Sequence, residues 1–102
     1  MQPTPEAITS FIADWKRSVM DEENCETLQD LIELGMCSDL ATLVWEEFEG
    51  VEIRHLENDG VVHFWIEFQG RHYDMQNPEG VSDWRKLDYF DGVPERYLQY
   101  VR

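Results

Sequence analysis

The apolar residues of this chain change their spacing once, at Gly50, and that change limits the fold more than any other feature. Before it, apolar side chains recur every three to four residues, the mark of helices with one buried stripe; after it they alternate, as in strands with one buried face. Ile8, Phe11, Ile12, Trp15 and Val19 make the first stripe, with Thr4 as cap, Pro5 at the first helical position and Glu6 in the first turn. This helix should end near Met20. Asn24 caps a second helix, which turns Leu28, Leu31 and Ile32 inward and stops at Gly35. A third opens around Cys37-Ser38-Asp39, with Ser38 or Asp39 as its cap. It buries Leu40, Leu43, Val44 and Phe48, flanked by Ala41 and Trp45, and ends at Gly50.

Past Gly50 three strands are expected: Val51 to Leu56, Val61 to Phe68 and Arg71 to Met75. Glu57-Asn58-Asp59-Gly60 joins the first two, and the two-residue turn Gln69-Gly70 joins the second pair. After the break Asn77-Pro78-Glu79-Gly80, helical spacing returns at Val81, Trp84, Leu87 and Phe90, with Ser82 or Asp83 as a cap. A short segment from Pro94 offers Tyr97, Leu98 and Val101 to the core. The fold class is therefore α+β: N-terminal helices on a three-stranded antiparallel meander, followed by short C-terminal helical segments. With 102 residues and 13 aromatic side chains, a single domain spanning 1–102 can bury a sufficient core.

The hairpin register sorts the chemistry. With Gln69-Gly70 as the turn, Ile66 faces Tyr73 and Trp65 faces Asp74. Val51, Ile53, Val62, Phe64, Ile66, Phe68, Tyr73 and Met75 then share one face. Glu52, Arg54, His63, Trp65, Glu67, His72 and Asp74 share the other. His63 and Asp74 become diagonal neighbours roughly 7–8 Å apart, close enough for the carboxylate to bond one ring nitrogen and set the tautomer. The helices should cover the apolar face, which leaves His63 on the wrong side for Cys37. The two meet only if the strand end lies beside the helix tip, or if a helix covers part of the polar face.

The net charge of −14 excludes several partners. Residues 1–50 carry twelve acids and two bases, and residues 51–102 carry ten acids and six bases. Phosphate backbones and anionic membrane surfaces would be repelled. A basic protein partner fits the charge, as does mimicry of nucleic acid by an acidic inhibitor. Glu46, Glu47 and Glu49 sit at the negative end of their helix, a local cost of a few tenths to ~1 kcal/mol that suggests the acidity is used. No apolar run approaches the ~20 residues of a membrane span. The N-terminus lacks the pattern of a secretion signal, and Cys25 and Cys37 form no disulfide framework, so a cytoplasmic protein with free thiols is expected. His55 falls on the opposite face from His63 and His72, and no metal-binding spacing or nucleotide loop is present, so no cofactor is expected.

Gly35-x-Cys37-x-Asp39-x-Ala41 at the head of an apolar helix resembles the nucleophile segment of transglutaminase-like cysteine enzymes, within the papain-like superfamily. His63-Phe64-Trp65-Ile66-Glu67 is similar to that family's His-x-Trp-x-Glu strand, and Asp74 follows on the next strand. The resemblance spans about 40 of the 102 residues and keeps the order Cys, His, Asp, with a shorter His–Asp interval than the family's. It implies a papain-like core, with Cys37 as nucleophile, His63 as general base and acid, and Asp74 as orienting carboxylate. It also implies acyl transfer on a protein or peptide amide: cleavage, deamidation or cross-linking. The Cys37 backbone N–H would serve as one oxyanion donor. Gln29 is the candidate for a second, and Gln29 and Trp65 are the candidate substrate-binding residues. Acidic surroundings, Asp39 foremost, are expected to raise the thiol's pKa and oppose this chemistry.

Overall fold

A computed structural model of the chain describes residues 3–22, 36–58, 61–94, 96 and 98. Its elements are α1 (Pro5–Glu22), α2 (Met36–Glu47), β1 (Glu52–Asn58), β2 (Val61–Phe68), β3 (Arg71–Tyr73) and two single-turn 3-10 helices, Trp84–Lys86 and Asp88–Phe90. The architecture is α+β, with helices on one face of an antiparallel sheet ordered β1-β2-β3. The helix expected between Asn24 and Gly35, which includes Cys25 and Gln29, lies outside the described residues. Among the described residues no helix is long and apolar enough to cross a membrane.

Helix α1 begins as its sequence dictates. Thr4 Oγ1 accepts the Ala7 N–H at 3.1 Å, which satisfies one of the free amides of the first turn. Ile8 and Ile12 are fully buried, and Phe11, Trp15 and Val19 pack beside them. The helix runs two residues past the expected Met20. Helix α2 starts at Met36, so Ser38 and Asp39 lie within its first turn and do not cap it. A cap needs non-helical backbone, and Met36 and Cys37 are already helical.

The buried stripe of α2 is Leu40, Ala41, Val44 and, just beyond the helix, Phe48. Leu43, expected inside, is 40% exposed, and Trp45 is 54% exposed. At about 100° per residue, Cys37 lies in the middle of that stripe, one turn ahead of Leu40 and Ala41. The nucleophile candidate therefore faces the sheet.

The β2–β3 register is Ile66 opposite Tyr73 and Phe68 opposite Arg71, as the two-residue turn requires. Gln69 and Gly70 both have positive φ, 51° and 79°, the backbone of a tight hairpin whose twist matches its strands. Strand β3, however, stops at Tyr73, two residues before Met75. Asp74 ends it: its Oδ1 accepts the N–H groups of Gln76 and Asn77 at 3.0 and 2.8 Å and turns the chain away. The expected Trp65–Asp74 strand pair is not formed.

The sheet is covered on both faces. Ile66, Phe68, Tyr73 and Met75 meet α1 and α2. The other face carries Leu56 and Trp65, which are covered by Leu87, Phe90 and Leu98. The expected helix from Val81 to Phe90 is instead a bridge followed by two 3-10 turns. Val81 exchanges two 2.8 Å bonds with His72 on the outer edge of β3. Asp83 then caps the first turn, accepting the Arg85 N–H at 3.0 Å. Asn77 Oδ1 holds the Asp88 N–H at 2.9 Å, which pins the second turn to the loop after β3. The three-residue spacing of Trp84, Leu87 and Phe90 suits this tighter geometry.

Gly80 sits where only glycine fits. Its φ is +82°, and a Cβ there would lie 2.7 Å from the ring of Tyr73, which is fully buried and cannot yield. Gly80→Ala is expected to cost about 2–4 kcal/mol, from left-handed backbone and overpacking together. Urea denaturation checks this. A loss below about 0.5 kcal/mol would mean that the loop rearranges freely, contrary to the core's packing density.

Candidate active site

His63 is carried on the second face of β2, and its Nε2 lies 2.8 Å from Asp74 Oδ2. The two residues are only 1% and 3% exposed. Asp74 thus joins three groups: the imidazole through Oδ2 and two backbone N–H groups through Oδ1. This fixes the carboxylate on the main chain and leaves His63 Nδ1 as its second ring nitrogen. That atom is buried and has no hydrogen-bond partner.

The end of β3 brings Cys37 to this ring. Residues alternate in the side to which their backbone groups point, so Phe64 points the same way as Ile66, toward β3. With β3 ended at Tyr73, the edge of β2 from Val62 to Phe64 has no strand neighbour on that side among the described residues. The first turn of α2 sits there. The Cys37 thiol is set by burial, which raises its pKa, and by neighbours that lower it: the adjacent His63 imidazole and its charge, and the Phe64 and Ser38 backbone N–H groups. The net result is a value below that of an ordinary thiol. His63 is moved in the opposite sense. Burial lowers its pKa, but Asp74, by hydrogen bond and charge, and the adjacent Cys37 raise it above 6.5.

Both shifts favour a thiolate beside an imidazolium, and the two groups titrate as a pair. The lowered value of Cys37 runs against the expectation that acidic neighbours raise it. Asp39 points to solvent, and Ser38 acts on the sulfur through its backbone N–H. Cys37 also lies in the first turn of α2, at the positive end of the helix.

Aromatic rings enclose the histidine. Tyr89 is parallel to the imidazole at 4.0 Å and 6°, Trp65 stacks at 5.8 Å, and Phe90 meets it edge-on at 5.5 Å. The Tyr89 hydroxyl donates to the Val62 carbonyl at 2.6 Å, on the open edge of β2. Trp65, expected to face a substrate, is 1% exposed, and its indole N–H donates to His72 Nδ1 at 3.0 Å. It forms the wall behind His63 because the C-terminal segment covers its face. Gln29 lies outside the described residues. Between α2 and the sheet, next to Cys37, a small cavity of about 10 Å³ is bordered chiefly by Ile12, Leu40, Val44, Tyr73 and Met75.

His55 lies on the opposite face, stacked on Phe64 at 4.3 Å, as the register implies. Among the described residues no group of three or more His, Cys, Asp or Glu side chains could hold a metal. Sequence reasoning brought out Cys37, His63 and Asp74 but missed Tyr89 and the Phe64 N–H. A signal for Tyr89 existed: Leu56 and Trp65 are apolar residues on an otherwise polar sheet face, and the aromatic-rich segment Trp84-to-Phe90 was available to cover them. No family model, no curated protein and no solved structure matches this chain.

Proposed function

We propose that this chain is a small transglutaminase-like, papain-like protein that transfers acyl groups from amides through Cys37, His63 and Asp74. The observation that carries this is one imidazole held at 2.8 Å by a buried carboxylate with a half-buried thiol beside it. The thiolate attacks the amide carbonyl carbon, whose oxygen becomes an oxyanion, with the Cys37 N–H as a donor to it. The His63 imidazolium gives its proton to the departing nitrogen as the C–N bond breaks, which leaves a thioester and a neutral imidazole. Water or an amine then attacks the thioester, His63 takes up its proton, and the thiolate leaves. Water completes cleavage or deamidation; an amine completes cross-linking. Asp74 steadies the protonated imidazole and its tautomer throughout. A nucleophile that must stay reduced fits a cytoplasmic setting.

The test is acyl transfer from a glutamine-containing peptide pool to a fluorescent primary amine or to water. Wild-type protein is expected to give product and a Cys37-linked acyl adduct by mass spectrometry. Cys37→Ala is expected to lose both. Equal product from the variant, or no adduct and no product from the wild type, overturns the proposal.

A second function is favoured by a separate feature. Glu46, Glu47 and Glu49 are exposed at the end of α2, which has no base in its last turn. This supports a non-catalytic role in binding a basic protein, with carboxylates standing in for the phosphates of a nucleic acid. Such binding would weaken steeply with salt.

A further inference from the structure

We infer that Tyr89 is the positioning residue of this site: its ring, stacked on His63 and tethered through its hydroxyl to the Val62 carbonyl, holds the imidazole in the plane that joins Asp74 to Cys37. The assignment rests on the acyl-transfer function proposed above and deepens it.

A single hydrogen bond from Nε2 to Asp74 leaves the imidazole free to rock about that contact. A flat ring at 4.0 Å and 6° blocks rocking toward its own side. The 2.6 Å tether ends on Val62, the residue immediately before His63, so ring and imidazole are referenced to the same stretch of strand. The Tyr89 ring is itself braced edge-on by Phe90 at 5.3 Å. Its π face also favours the charged imidazolium over the neutral ring.

The groups that face His63 are Cys37 from α2, Asp74 from the loop after β3 and Tyr89 from the second 3-10 turn. Trp65 and Phe90 complete the surround without charge. Burial, and the charge on Cys37, push the Tyr89 hydroxyl above its ordinary 10.0. It therefore stays a neutral donor where the thiolate reacts.

The experiment measures iodoacetamide alkylation of Cys37 against pH for wild type, Tyr89→Phe, Tyr89→Leu and His63→Ala, with folding checked by circular dichroism. Tyr89→Phe keeps the ring and should keep the wild-type midpoint. Tyr89→Leu removes the ring and should raise the midpoint by about half to one unit, which slows alkylation below it roughly three- to tenfold. NMR provides a readout that stability alone would not move. The His63 ring protons should be shifted upfield by Tyr89 in wild type and Tyr89→Phe, and released in Tyr89→Leu.

A folded Tyr89→Leu with the wild-type midpoint and unmoved His63 resonances overturns the inference. So does a Tyr89→Phe that loses as much as Tyr89→Leu, since the ring would then not be the working part. If Tyr89→Leu fails to fold, Tyr89→Met, which keeps apolar bulk without a ring, is read by the same criteria. If His63→Ala leaves the Cys37 midpoint unchanged, the acyl-transfer function itself fails. If His63→Ala moves it and Tyr89→Leu does not, only the role of Tyr89 fails.

Discussion

Iodoacetamide is expected to alkylate Cys37 about threefold faster than Cys25 at pH 7, and His63→Ala is expected to remove most of that difference. An ordinary thiol with a pKa near 8.5 is only ~3% thiolate at pH 7. A thiol held ionised by its neighbour gains up to ~30-fold in thiolate, and loses part of it because nucleophilicity falls with pKa at a slope of ~0.4–0.5. About threefold is what survives. The pH dependence follows from the directions of the two shifts. As pH falls through the lowered value of Cys37, the sulfur takes a proton and alkylation slows. As pH rises through the raised value of His63, the imidazole loses its proton. Alkylation continues there, because it needs only the thiolate, but amide cleavage loses the acid that protonates its leaving nitrogen. Alkylation should therefore show a low-pH midpoint and a plateau, and acyl transfer a bell. Rates that rise only near pH 9 for both cysteines would exclude a paired thiolate.

Asp74→Ala should be the most destabilising single change at the site, at about 3–5 kcal/mol. It leaves the Gln76 N–H and the buried His63 ring without their acceptor, and the Asn77 N–H with only its longer 3.2 Å bond to the Asp74 carbonyl. Each orphaned buried donor costs ~1–3 kcal/mol, and the two loop amides recover part of this from water because they are only partly buried. A loss of this size is a large share of the ~5–15 kcal/mol that holds an ordinary domain together. Asp74→Asn is the informative contrast. Its amide oxygen can still close the turn, so the expected loss is about 1–2 kcal/mol. The negative charge beside His63 is gone, however, and the Cys37 midpoint should rise. Urea denaturation read beside the alkylation profile separates the two roles. An Asp74→Ala protein within about 1 kcal/mol of wild type would show that the loop after β3 is held by other contacts.

Much of this architecture is written in short stretches of sequence. The period change at Gly50 divides helices from sheet, and Thr4-Pro5 sets the start of α1. Gln69-Gly70 fixes the β2–β3 register, and that register alone brings Asp74 within reach of His63. Where local pattern misled, a distant contact had replaced a local preference. Leu43 has the right spacing for the α2 stripe, yet Ala41 takes the inner position because the sheet meets α2 on that side. Val81 to Phe90 has helical spacing, but pairing of Val81 with His72 and anchoring of Asp88 by Asn77 break it into 3-10 turns.

Periodicity, turns and caps are set by the geometry of a few consecutive residues, so the sequence by itself determined the elements, the hairpin and the His63–Asp74 pair. Only the tertiary structure decided that Cys37 belongs with them. Alternation places His63 on the face away from the helices, and no local signal shows that β3 ends at Tyr73 and opens an edge for the tip of α2. Nor does one show that Tyr89 closes the far side of the imidazole. Both depend on where layers meet that lie far apart in the chain, and packing settles that meeting.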